Sequence, residues 1–149
     1  GVRFIQLYHK DWDHHGEVKQ GVEFKAAEID RACMALITDL KQRDMLKDTL
    51  IVWAGEFGRT PMSQGGSGRD HHNAGFTIWM CGGGIRPGTV YGATDELGYS
   101  AVDSPVDVHD IHATLLRQFG IDHTRLSVKF QGLDVRLTGI AGRVIQEII

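Results

Sequence analysis

Three short polar clusters carry residue types that metal-assisted chemistry uses: Asp13-His14-His15, Gly55-Glu56-Phe57-Gly58-Arg59 and Asp70-His71-His72-Asn73. Carboxylate oxygens mixed with imidazole nitrogens, with no thiolate nearby, suit zinc, manganese or iron, and calcium where fewer histidines take part. Asp13 and His15 stand two residues apart in what reads as an irregular turn, so both can point at one ion. His71 offers a third ligand, and Asp70 beside it is a further ligand or the carboxylate that orients the ring. Glu56 is either a cap partner or salt-bridge acceptor for Arg59, or a metal or acid–base group. Its place just past a buried strand favours the second reading. Arg59 has the forked donors to clamp an anionic ester, with a structural ion pair as the equal alternative. His72 and His112 are further candidates for lining a substrate pocket, and packing or solvent exposure is the better reading of His112. For one histidine alone the ordinary reading is a hydrogen-bonded or surface side chain. Three clusters meeting at one sheet edge reverse that.

Such a meeting needs a scaffold, which the hydrophobic pattern outlines. Val2 to Tyr8 alternates as a strand does, and a helical pattern follows to about Arg43, with Ile29, Cys33, Leu36, Ile37 and Leu40 on one face. Leu50-Ile51-Val52-Trp53-Ala54 is wholly apolar, as expected of a strand covered on both faces. Strand, helix and strand predict a βαβ unit with a right-handed crossover. The expected fold is therefore α/β, a mostly parallel sheet flanked by helices, formed by residues 1–149 as a single domain. Ligands in such sheets bind beyond the carboxyl ends of the strands, where the first two clusters fall. The third lies in a Gly-rich loop of roughly twenty residues, a length that is usually functional. An antiparallel strand at Phe76 to Cys81 returns that loop to the same edge. Further on, Ser104 reads as an N-cap, with Pro105 at the first helical position and Asp107 reaching back. That helix should run to Phe119 and stop at Gly120. From Ile121 the pattern suggests a short strand or extended segment, then an amphipathic turn around Val144 to Ile149.

Hydrophobic residues make up 42% and charged residues 23%, which excludes a disordered chain, and no apolar run is long enough to cross a bilayer. A net charge of −3 without a basic stripe argues against nucleic acid as a partner. Cys33 and Cys81 each sit in an apolar stretch and read as small core residues. Gln64-Gly65-Gly66-Ser67-Gly68 misses the nucleophile-elbow spacing by one position and follows no strand. Pro87 stands where a dinucleotide fingerprint starting at Gly82 needs its last glycine. The start at Gly1, with no initiator methionine ahead of a strand pattern, reads as a cut.

Several motifs in order resemble the domain-of-unknown-function family 1501: Trp12-Asp13-His14-His15, Gly55-Glu56-Phe57-Gly58-Arg59-Thr60-Pro61, Gly68-Arg69-Asp70-His71, the Gly82-Gly83-Gly84-Ile85 turn before Gly88, and Asp110-Ile111-His112-Ala113-Thr114-Leu115-Leu116. The resemblance implies a sulfatase-like member of the alkaline phosphatase superfamily, with an alkaline phosphatase-like, incomplete fold. There an upstream Ser, Thr or modified Cys attacks a phosphate or sulfate ester while one or two divalent metals stabilise charge. By position, Asp13 and His15 match ligands of the first metal, His71 matches its later histidine, and Glu56 falls on a second-site carboxylate. Phe57 replaces the neighbouring His or Asn and cannot ligate, which puts a full second site in doubt. The nucleophile and one further carboxylate belong to N-terminal segments absent here. A removed N-terminal part, a pairing chain or a remnant that binds metal without turnover each accounts for that. The expected function is the metal half-site of a hydrolase acting on a small anionic ester. The alternative is a non-catalytic metal-binding or assembly module, and a third reading makes the histidines structural. Self-association through exposed apolar edge is expected, and the resemblance is compatible with an extracytoplasmic location.

Overall fold

The computed structural model describes residues 1–149. One long helix, α1 (Val18–Gln42), follows the spacing of its apolar positions to within a residue of the expected end. Ile29, Cys33, Ile37 and Leu40 form its half-buried face, whereas Leu36 is exposed. The helix starts without a side-chain cap on Glu17. Instead a distant loop caps it: the Ser67 carbonyl accepts from the Val18 N–H and the Ser67 hydroxyl oxygen from the Glu17 N–H.

A three-residue strand, β1 (Ile51–Trp53), pairs antiparallel with β4 (Trp79–Cys81). Between them, β2 (Gly58–Arg59) and β3 (His71–His72) form their own antiparallel pair, with Arg59 opposite His71. The long Gly-rich loop is thus an irregular hairpin, closed near its tip by a bridge between Gln64 and Gly68. Two more antiparallel ribbons follow, β5 (Ala93–Thr94) with β6 (Ala101–Asp103), and β7 (Ser127–Phe130) with β8 (Leu133–Arg136). A second helix, α2 (Val108–Gln118), lies between them.

The expected alkaline phosphatase-like parallel sheet is not present. All four sheets are two-stranded and antiparallel, so this is a small mixed fold. The physical reason lies in Val2 to Tyr8. Its composition suits a strand, but none of its backbone groups finds a partner, and a ladder needs a second edge. Without it β1 has only β4 beside it and no βαβ crossover exists. Nor is β1 covered on both faces, since Val52 and Trp53 are exposed.

The tightest packing is around α2. Its cap is Asp107, three residues later than Ser104-Pro105 suggest: Asp107 accepts from the His109 N–H while the Asp110 carboxylate accepts from the Asp107 N–H. Asp110 is 5% exposed and also accepts from the Arg143 N–H. Thr114, fully buried, donates to the Asp110 carbonyl and accepts from the Ile145 N–H. The C-terminal segment is therefore tied to α2 by polar groups, and Ala113 of the helix and Ile145 of the segment are both buried. The helix ends at Gln118, with Gly120 in the left-handed region at φ 74° as expected.

Candidate metal centre

Three side chains from distant parts of the chain converge. Asp13 Oδ1 lies 2.9 Å from His15 Nε2 and 2.9 Å from His71 Nε2, and the two ring nitrogens are 3.2 Å apart. All three residues are exposed. Metal–nitrogen and metal–oxygen bonds of about 2.0–2.1 Å at tetrahedral angles need ligand atoms about 3.3 Å apart. The observed triangle meets that within a few tenths of an ångström, so the donor set fits one small divalent cation.

The convergence does not come from a parallel sheet. His71 is delivered by the β2–β3 hairpin, whose register sets it opposite Arg59. Asp13 and His15 are delivered by the turn before α1, which the hairpin tip holds: the Arg69 N–H donates to the His14 carbonyl, and Ser67 caps the helix start. Gly68 is buried in this contact, and a Cβ there would fall 1.9 Å from the His15 carbonyl oxygen. Only glycine permits so close an approach.

Gln64 was not among the residues singled out for chemistry, yet it sets the character of His15. Its Oε1 is 2.5 Å from His15 Nδ1, and an amide oxygen only accepts, so the contact is a hydrogen bond in the Nδ1–H tautomer of His15. A neutral ring protonated there presents the Nε2 lone pair, the form a metal ligand requires. No periodicity or spacing signals such a role for a polar residue in a Gly-rich loop.

Arg59 Nη1 sits 2.7 Å from Asp13 Oδ1, an ion pair whose N–H is not well directed, leaving that nitrogen buried without a hydrogen bond of good angle. His71 first and Arg59 second hold the Asp13 carboxyl down to about 2. Asp13 is therefore an anion at any ordinary pH. Phe57, unable to ligate, packs its ring 4.3 Å from that of His71 and so limits its rotation.

The remaining candidates lie around or away from this triangle. Asp70 Oδ1 accepts from the His71 backbone N–H and is 4.0 Å from His15 Nδ1, so it braces the backbone and is not a corner of the triangle. Glu56 is exposed and outside the cluster. His72 turns to the Tyr99 carbonyl and ring. His112 bonds back to the Val108 carbonyl within α2. His14 turns from the cluster and packs on Gly21 of α1.

No helix is long and apolar enough to cross a membrane. No curated protein and no solved structure matches the chain. Residues 1–149 in full match the family described as Protein of unknown function (DUF1501). This chain belongs to the DUF1501 family.

Proposed function

We propose that Asp13, His15 and His71 hold one divalent cation, and that the chain supplies the metal half of a hydrolytic site for phosphate or sulfate esters. The observation that carries the reading is the triangle of donor atoms with edges of 2.9, 2.9 and 3.2 Å. Two imidazoles with one carboxylate favour zinc, iron or manganese over calcium, which prefers oxygen throughout. The substrate class is what the resemblance of the motif order to the DUF1501 family implies, with that family taken as sulfatase-like.

The residues divide the work as follows. Gln64 keeps the His15 Nε2 lone pair turned inward, and Phe57 and the Asp70 carboxylate hold His71 in place. Arg59, beside the triangle, binds an ester oxyanion through its planar fork. A cation bound here supplies Lewis acidity toward the ester oxygen.

One observation favours the non-catalytic alternative: no hydroxyl or thiol is hydrogen-bonded to any of the three ligands. Elemental analysis of the purified chain, followed by assay on aryl phosphate and aryl sulfate, separates the two. Metal with turnover supports the hydrolase, metal without turnover supports a binding module, and absence of stoichiometric metal after reconstitution rejects both.

A further inference from the structure

No regular element holds Asp13. The residues from His9 to Gly16 form neither helix nor strand, and Asp13 is the middle residue of a three-residue turn. That turn is closed by the His14 N–H, which donates to the Trp12 carbonyl at 3.1 Å. The Asp13 carboxylate therefore moves with Trp12, and whatever fixes Trp12 fixes one corner of the donor triangle.

Two neighbours fix the Trp12 side chain. Its ring meets that of Trp53 edge to face, with centroids 6.4 Å apart and planes at 86°, and Trp53 stacks on Trp79 across the β1–β4 pair. Its indole N–H donates to His9 Nδ1 at 2.8 Å. An indole nitrogen only donates, so His9 Nδ1 accepts, and a neutral ring that accepts there carries its proton on Nε2. That nitrogen faces Glu28 Oε2 of α1 at 3.2 Å. Glu28 is held in turn by Lys25 Nζ at 2.8 Å, which also lies 3.7 Å from Asp11 Oδ2. Every proton along this path from α1 through His9 to Trp12 meets an acceptor, and none of these groups belongs to the triangle.

We infer that His9 and Trp12 are positioning residues of the metal centre: the bond between them, anchored on Glu28, sets the turn that presents Asp13 Oδ1 to His15 and His71. This rests on the metal reading above and gives the site a second support. Gln64 and the β2–β3 hairpin hold the imidazoles from one side. The helix α1 and the β1–β4 pair, acting through His9 and Trp12, hold the carboxylate from the other.

Zinc affinity of the full chain, measured by competition with a chromophoric chelator, tests this in three variants. His9→Leu removes the acceptor, Trp12→Phe keeps a ring and removes the donor, and His9→Asn returns an amide oxygen near the Nδ1 position. The first two should each weaken zinc about three- to tenfold, the worth of one hydrogen bond. The double variant should lose no more than either alone, because both break the same bond, and His9→Asn should retain most of the affinity. In the metal-free chain the ring nitrogen shifts of His71, whose Nε2 lies 2.9 Å from Asp13 Oδ1, should move in His9→Leu and Trp12→Phe and return in His9→Asn. A wild-type chain that takes up no zinc overturns the metal reading, and the His71 shifts then decide the positioning by themselves. Unchanged affinity or unchanged His71 shifts in His9→Leu, additive losses in the double variant, or no rescue by His9→Asn overturn the inference. Loss of α1 helicity in both single variants, by far-ultraviolet circular dichroism, overturns it in favour of a general structural role.

Discussion

Replacing His71 by alanine removes one corner of the donor triangle and leaves Asp13 Oδ1 and His15 Nε2 in place, 2.9 Å apart. The hairpin that carries position 71 is held by backbone pairing with Arg59, so the loss is confined to the ligand. Structural zinc sites hold their ion with roughly 10–16 kcal/mol shared over four ligands, or about 2.5–4 kcal/mol for each. That corresponds to a dissociation constant about two to three powers of ten weaker for His71→Ala. Competition against a chromophoric chelator at neutral pH measures it, with far-ultraviolet circular dichroism to show that α1 is retained. Glu56→Gln and His112→Ala, both outside the triangle, are the controls and should leave affinity unchanged. A loss below tenfold for His71→Ala, or an equal loss in either control, refutes the reasoning that these three atoms share one ion.

Gln64→Leu should weaken the same affinity about 10–100-fold, because nothing then selects the Nδ1–H form of His15; nitrogen shifts of the His15 ring by NMR report the tautomer directly. Gly68→Ala forces a Cβ against the His15 carbonyl and should destabilise the chain by about 1–3 kcal/mol while loosening metal binding, both readable from urea titrations with and without zinc. Asp110→Ala leaves the N–H groups of Asp107 and Arg143 without their acceptor and should lower stability by about 2–4 kcal/mol, with Asp110→Asn recovering part of it in thermal melts. Acid should destabilise the fold in a set direction. Backbone N–H groups of Tyr99, Ser100 and Leu97 depress the Asp95 carboxyl, and His109 depresses that of Asp107, so the native state binds fewer protons than the unfolded chain. Their contribution is complete above the unfolded carboxylate range near pH 4 and disappears as pH falls through the lower native values; a urea midpoint that stays level or rises between pH 5 and about 2.5 contradicts this.

Local elements were largely readable from local pattern. The i, i+4, i+7 apolar spacing fixes α1, and the short apolar run bounded by Thr49 and Gly55 fixes β1. The antiparallel partner of β1 was also anticipated, though only its last three residues pair. Errors arose where two local rules competed or where a distant partner decides. Ser104-Pro105 and Asp107-x-x-Asp110 are both good helix starts, and the second prevails because Asp110 is buried where it can reach both the Asp107 and Arg143 N–H groups. Ser104 itself sits at φ 43°, outside the extended range an N-cap uses. A strand such as Val2 to Tyr8 has no identity without an edge to pair with, and no pattern within those seven residues says where that edge is. The candidate site shows the same division. The types of Asp13, His15 and His71 mark them as possible ligands, but Gln64, Gly68 and Ser67 position them through contacts spanning about fifty residues of sequence.

The strongest argument for a cation is a shortage of protons. Asp13 Oδ1 is an anion facing His15 Nε2, His71 Nε2 and Arg59 Nη1, all within 2.9 Å. In the His15 tautomer that directs Nδ1–H at Gln64 Oε1, the Nε2 lone pair faces the carboxylate oxygen, and two lone pairs at that distance repel. A His71 proton on Nε2 would satisfy only one of the two acceptors it faces. Arg59 neutralises charge but aims no hydrogen bond into the gap. In that tautomer a cation at the centre of the triangle would relieve the repulsion, which is the role proposed for the metal ion. With the His71 proton on Nδ1, a divalent cation would take a lone pair from each of the three atoms, in the geometry that Gln64, Gly68 and the β2–β3 register combine to hold.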